Sequence, residues 1–72
     1  MSHSYIDPQI AAIRTDRVRR VVEAARRWGT SIYRTPGTEV VRIVGHRTDI
    51  LAASIRHVAP DDLNPWRTIN GH

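Results

Sequence analysis

From Ile10 to Trp28, apolar side chains return every three or four residues (Ile10, Ile13, Val18, Val21, Val22, Ala25 and Trp28). That is the period of one face of an α-helix. Asp7 and Pro8 suit its start: an Asp carboxylate accepts from unpaired first-turn N–H groups, and Pro lacks the N–H that would go unpaired. Gly29 is a natural stop. The period predicts one helix from Pro8 to Trp28. Thr15 and Asp16 offer a second, internal start, which would leave residues 8–13 as a separate turn.

Beyond Gly29 the period changes. Thr30 to Thr35 and Glu39 to Val44 are β-branched and aromatic runs around Pro36-Gly37, the pattern of a hairpin. Pairing symmetric about that turn sets Arg34 opposite Glu39 as a cross-strand ion pair, Tyr33 opposite Val40 and Ile32 opposite Val41. An L-Pro-Gly turn has the wrong twist for a tight two-residue hairpin, so a longer loop or a bulge is expected. Thr48 can cap a second helix from Asp49 to about Ala59, with Ile50, Leu51, Ser54, Ile55 and Val58 as its buried stripe and Arg56 opposite. From Pro60 onward no period persists, and Leu63, Trp66 and Ile69 are the candidate anchors of an irregular tail.

The expected fold class is therefore α+β, a small single domain in the order α-β-β-α. Residues 1–6 form a flexible N-terminus, 7–59 the domain, and 60–72 an irregular tail partly packed on the core. With only 72 residues, such a chain removes about 60% of its surface from water on folding, which leaves a marginal core. A lone two-stranded hairpin is unstable and must be covered or extended. Ile32, Val41 and Ile43 would share a face packed on the helices; Tyr33, Val40, Arg42 and Val44 would share the other. That second face must be covered by the tail with Trp66, by a second subunit, or by a binding partner. Open hairpin edges make a homodimer the simplest expectation.

The basic residues are all arginine, eleven of them, and the net charge is +4. Arg14, Arg17, Arg19, Arg20, Arg26 and Arg27 face only Asp16 and Glu23 within residues 14–27, so that one segment carries the whole net charge. The asymmetry points to an acidic partner surface. Asp16 reaches Arg20, and Glu23 reaches Arg19 and Arg27, at helical i±4 spacing, as on a solvated, salt-bridged helix face. Arg14 and Arg17 differ, because in one continuous helix they fall inside the apolar arc with no acidic neighbour at that spacing. Cations there must snorkel, pair across the fold with Asp61 or Asp62, or meet a partner. An arginine-rich helix beside Tyr33 and Arg42 suits nucleic acid: guanidinium forks hold phosphates and a Tyr ring stacks on an unpaired base.

Signatures of other function classes are missing from the sequence. There is no cysteine, hence no disulfide framework or thiolate metal site. No catalytic, metal or cofactor motif and no small-molecule substrate is indicated. His46 and His57 are the histidines outside the two ends; a general acid–base pair in a metal-free ribonuclease is their one catalytic reading. The apolar run Ile50-Leu51-Ala52-Ala53 is far too short to span a bilayer, and the N-terminus lacks the basic and apolar regions of a secretory signal. A cytoplasmic protein with no membrane partner is expected.

The stretch GHRTDILAASIRHVAPDDL, after a helix and strands, resembles the end of HicA-type toxins. That resemblance implies a small ribonuclease with a double-stranded-RNA-binding-like fold. Where those proteins carry a catalytic His after Gly-Ser in the sheet, this chain reads Thr35-Pro36-Gly37-Thr38, and a third strand has no counterpart in the α-β-β-α order. Separately, RHVAPDDLNPWRTIN is similar to the RxLP…PWxRVIN stretch of alkylguanine-transferase-like proteins, with Pro65-Trp66-Arg67 one residue short and no Pro-Cys-His reactive site. The function expected from the residues is a small non-enzymatic regulatory module. Its arginine-rich first helix would act on nucleic acid or another acidic surface. The alternative is an inhibitor or adaptor of phage or accessory type that docks on a single host protein.

Overall fold

The first turn after Asp7 is helical, but only briefly. A computed structural model describes residues 4–66 and places α1 at Pro8–Ala11 and α2 at Asp16–Trp28. The Asp7 carboxylate accepts from the N–H groups of Gln9 (2.9 Å) and Ile10 (3.4 Å), and Pro8 opens the turn, as the sequence predicts. The single continuous helix does not form. Ala12 to Thr15 break it, and α2 starts again behind Thr15, the internal start the sequence also offered. The gain is phase: Ile10 and Val18 both reach the core, while Arg14, out of the helix, turns to solvent. Asp16 in the first turn and Arg26 and Arg27 in the last suit the helix dipole. Gly29 closes α2 in the left-handed region (φ 68°), which a glycine enters without steric cost.

Three antiparallel strands follow in the order β1 (Ser31–Arg34), β2 (Val41–Gly45) and β3 (Thr48–Ala52). The β1–β2 register is Ile32 to Ile43, Tyr33 to Arg42 and Arg34 to Val41, two residues beyond the symmetric pairing expected from Pro36-Gly37. A shift of two preserves which side chains share a face. The longer loop has a physical cause: Thr35 to Thr38 make a type II turn with Pro36 and Gly37 (φ 80°) at its centre, closed by the Thr38 N–H on the Thr35 carbonyl (3.1 Å). The expected Arg34–Glu39 pair is absent; Glu39 is exposed, and the Arg34 Nε lies 3.5 Å from Asp7 instead.

The α+β class holds, whereas the expected helix from Asp49 to Ala59 is replaced by β3 and a 3-10 turn at Ile55–His57. The open edge of β2 takes Thr48–Ala52 as a partner, with Ile50 on Ile43 and Leu51 on Arg42. Exposure then alternates along the strand, with Ile50 turned inward and Leu51 outward. A second 3-10 turn at Pro60–Leu63 returns the chain to α2 and buries Leu63 completely. Trp66 stays largely exposed, with the Arg47 guanidinium 5.4 Å from its ring centre; Ile69 lies outside the described residues.

The core is one layer. Val18, Val21, Val22 and Ala25 of α2 meet Ile32, Val41 and Ile43 of the sheet, and Ile55, Val58 and Leu63 close its margin. On the outer side of β1, Ser4 to Asp7 run alongside: Ile6 bridges Ile32 in parallel, with hydrogen bonds from Ile32 to Tyr5 (2.7 Å) and from Asp7 to Ile32 (2.9 Å). No helix among the described residues is long and apolar enough to cross a membrane.

One close approach fixes how the sheet meets the end of α2. A Cβ at Gly45 would lie 2.9 Å from Thr30 Oγ1 and 3.1 Å from its Cγ2, and Thr30 is itself buried. Gly45→Ala is therefore expected to lower stability by about 1–3 kcal/mol, the usual cost of overpacking. Chemical denaturation would show a smaller cost in a Thr30→Ala background, because the two closest atoms are then removed and only the Thr30 Cβ contact at 3.3 Å stays.

Candidate functional site

Two surfaces carry the residues singled out from the sequence, and they lie on opposite sides of the molecule. Arg14, Arg17, Arg19, Arg20, Arg26 and Arg27 are all exposed on α2 or the loop before it, facing away from the sheet. Tyr33 and Arg42 stand on the outer face of the sheet, with the core between them and the helix. The structure does not bring the two sets together. A single short ligand cannot hold the helix arginines and stack on Tyr33 at once.

On the helix side the pairing differs from expectation. Arg20 and Asp16 form an exposed ion pair at 2.9 Å, as i,i+4 spacing predicts. Glu23 makes no ion pair with Arg19 or Arg27 among the described residues. Arg14 and Arg17, expected inside the apolar arc, are exposed because the break before Thr15 removes the continuous helix that would have placed Arg14 there. Neither has an ion-pair partner among the described residues, and Asp62 instead accepts from the Ala59 N–H (2.9 Å).

The break also creates shape. A shallow cleft of about 560 Å³ is lined by Ala11, Ala12, Ile13, Arg14 and Arg19. A smaller one of about 190 Å³ adjoins it through Ala11, Ile13 and Arg19 and extends to Arg26. Arg14 and Arg19 thus border the first cleft, and Arg19 and Arg26 the adjoining one, where the exposed Glu23 also lines the wall. Arg19 and Arg26 are two turns apart, about 10 Å along the axis. Sequence reasoning grouped all six arginines; the two clefts separate this strip from Arg20, which is occupied by Asp16.

The sheet face is different in kind. Arg42 is held by Asp49 through two parallel hydrogen bonds, Nε to Oδ1 at 3.1 Å and Nη2 to Oδ2 at 3.0 Å. Its charge is therefore committed within the fold. Tyr33 stacks on Tyr5 (5.1 Å between ring centres, 19° between planes), Val44 is exposed on the central strand, and Leu51 is exposed on β3 at the opposite margin of the same face. Tyr5, Asp49 and Leu51 were missed from the sequence. Tyr5 has no local signal, since only the pairing of Ile6 with Ile32 brings it near Tyr33. Asp49 and Leu51 become visible once residues 48–52 are read with the period of a strand.

Arg34 points to the inner side at the end of β1. Its Nη1 donates to the Thr38 carbonyl (3.1 Å), and its buried Nε has no hydrogen bond. The cavity beside it, about 260 Å³, is bordered by Ile10, Ile13, Ile55, Arg56 and Glu39. His46 lies in the β2–β3 turn and His57 in the first 3-10 turn, both exposed. Neither borders the clefts described here. No group of three His, Cys, Asp or Glu side chains among the described residues is placed to hold a metal ion.

The third strand that the likeness to HicA-type toxins lacked is present at Thr48–Ala52. Yet no known protein family, curated protein or solved structure matches this chain.

The Arg42 pair gives a titration with a definite sign. Hydrogen bonding from Arg42, and then its charge, hold the Asp49 carboxyl below its ordinary 3.8. The pair's contribution is present above the ordinary carboxylate range and is lost only as pH falls through the lowered value. Carboxyl-carbon NMR should place the Asp49 midpoint below that of an exposed Asp, and Arg42→Ala should return it to the ordinary value.

Proposed function

We propose that this chain is a small, non-enzymatic regulatory module that binds nucleic acid in the cytoplasm through the arginines of α2 and the loop before it. The observation that carries the reading is the strip Arg14, Arg19 and Arg26. These three exposed guanidiniums border two adjoining clefts and have no ion-pair partner among the described residues, although Glu23 lines the second cleft beside Arg19 and Arg26. A guanidinium fork matches two phosphate oxygens, and it stays charged at any pH a cell reaches. Arg17 and Arg27 are exposed elsewhere around α2 and add only long-range attraction. Arg20 contributes less, because Asp16 already neutralises it.

Contacts of this kind position a phosphate backbone and carry no base information. The module therefore reads as a sequence-tolerant binder whose affinity falls steeply with salt. A protein-docking inhibitor or adaptor is the second reading, and the bare sheet face with Tyr33, Val44 and Leu51 favours it.

Titration of mixed-sequence duplex DNA and RNA at several salt concentrations separates the two. Phosphate binding requires log K to fall linearly with log salt, by about 0.9 for each phosphate engaged on DNA. Arg14→Ala, Arg19→Ala and Arg26→Ala should each flatten that slope by about one contact, and Arg20→Ala by less. No binding to either duplex at low salt would exclude the nucleic-acid reading.

A further inference from the structure

We propose that the outer face of the sheet is a self-association surface whose occupant is a second copy of this chain, packed sheet on sheet about a two-fold axis parallel to β2. This goes beyond the nucleic-acid reading and does not rest on it.

Charge argues first. The sheet face holds one cation and one anion, Arg42 and Asp49, and they are bonded to each other. The face is therefore neutral and offers an acidic polymer nothing to grip. The exposed arginines of α2 lie on the far side of the core. Two copies joined at their sheets would hold those helices on opposite outer layers, with little mutual repulsion. Association through the helix faces would instead bring two sets of unpaired arginines together.

Shape argues next. Tyr33, Arg42 and Leu51 form one row across the three strands, with Arg42 in the middle. At one margin the Tyr5–Tyr33 stack makes a flat aromatic platform. At the other, Leu51 projects from β3 with 74% of its surface exposed. An axis along β2 exchanges the two margins, so Leu51 of each copy rests on the tyrosine platform of the other, while Val44 meets Val44 and Arg42 meets Arg42 near the axis, each Arg42 still held by its own Asp49. The surface is self-complementary, as a two-fold contact must be. The Arg42–Asp49 pair enters the interface with its charges already matched, so no lone charge is buried.

Area reaches the needed scale only with close packing. Tyr5, Tyr33, Arg42, Val44, Asp49 and Leu51 expose on the order of 600 Å² per copy, so complete burial of both faces removes about 1,200 Å², the lower limit for a specific interface. Stacked face to face, the two sheets become a β-sandwich with an aligned crossing. Pairing of β3 edges in one plane would leave Leu51 and both tyrosines in water.

Sedimentation equilibrium of the full chain, from about 10 µM to 1 mM, tests the proposal. The expected result is a monomer–dimer equilibrium that Leu51→Glu weakens by roughly 30-fold or more, because each of two symmetric contacts would then bury a carboxylate against the tyrosine platform. Leu51 is mostly exposed, so the variant keeps the monomer's circular dichroism, and Arg19→Ala leaves the dimer constant unchanged. A strict monomer at 1 mM assigns the face to another occupant and overturns the proposal. A dimer that Leu51→Glu leaves intact overturns it in favour of edge pairing, and one weakened by Arg19→Ala overturns it in favour of the helix face. None of these outcomes alters the salt titration, so the two readings fail separately.

Discussion

One amphipathic helix lies on one face of one small sheet, and every other feature follows from that shortage of cover. The 13 residues of α2 supply Val18, Val21, Val22 and Ala25, enough to bury Ile32, Val41 and Ile43 and no more. Strand geometry sends every second side chain the other way. Val44 and Leu51 are therefore exposed, and Tyr33 is covered in part by Tyr5 alone. The margins of the core are closed cheaply, by two 3-10 turns that deliver Ile55 and Leu63 without the cost of a second full helix. In so small a fold the covered face makes the molecule stable, and the remaining surfaces stay exposed.

Asp7 ties the pieces at one corner. Its carboxylate caps α1 and approaches Arg34, and its N–H reaches β1 at Ile32. The same segment brings Tyr5 against Tyr33. The break between α1 and α2 belongs to this arrangement. The chain must run beside β1 and then cross to the inner face, and a straight helix from Pro8 could not do both while keeping Arg14 and Arg17 out of the core.

Much of this was legible in the sequence wherever a local rule acts alone. Gly29 ends α2, Asp7 and Pro8 open α1, Asp16 meets Arg20, and the inward set Ile32, Val41 and Ile43 is correct even though the register moved by two. The failures are of one kind. Ile50, Leu51, Ser54, Ile55 and Val58 fit a helical stripe, and the His46-Arg47 turn carries no Asn or Gly to announce a hairpin. The open edge of β2 decided the matter, and edges are a property of the assembled sheet. Likewise the end of α1 at Ala11 has no Pro or Gly behind it. Of the candidate site, the arginines were visible. The adjoining clefts that hold Arg14, Arg19 and Arg26, and the partner that withdraws Arg42, depend on contacts between separate segments.

The arginine strip along α2 has a consequence for how its charge could be controlled. Guanidinium groups do not lose their protons in any cellular compartment, so acidification or alkalinisation leaves the strip as it is. Acylation of lysine, a common means of silencing a basic surface, finds no target side chain, because the chain has no lysine. What remains is screening by mobile ions. A surface built this way carries a constant charge, and only the ionic strength around it changes the reach of its field.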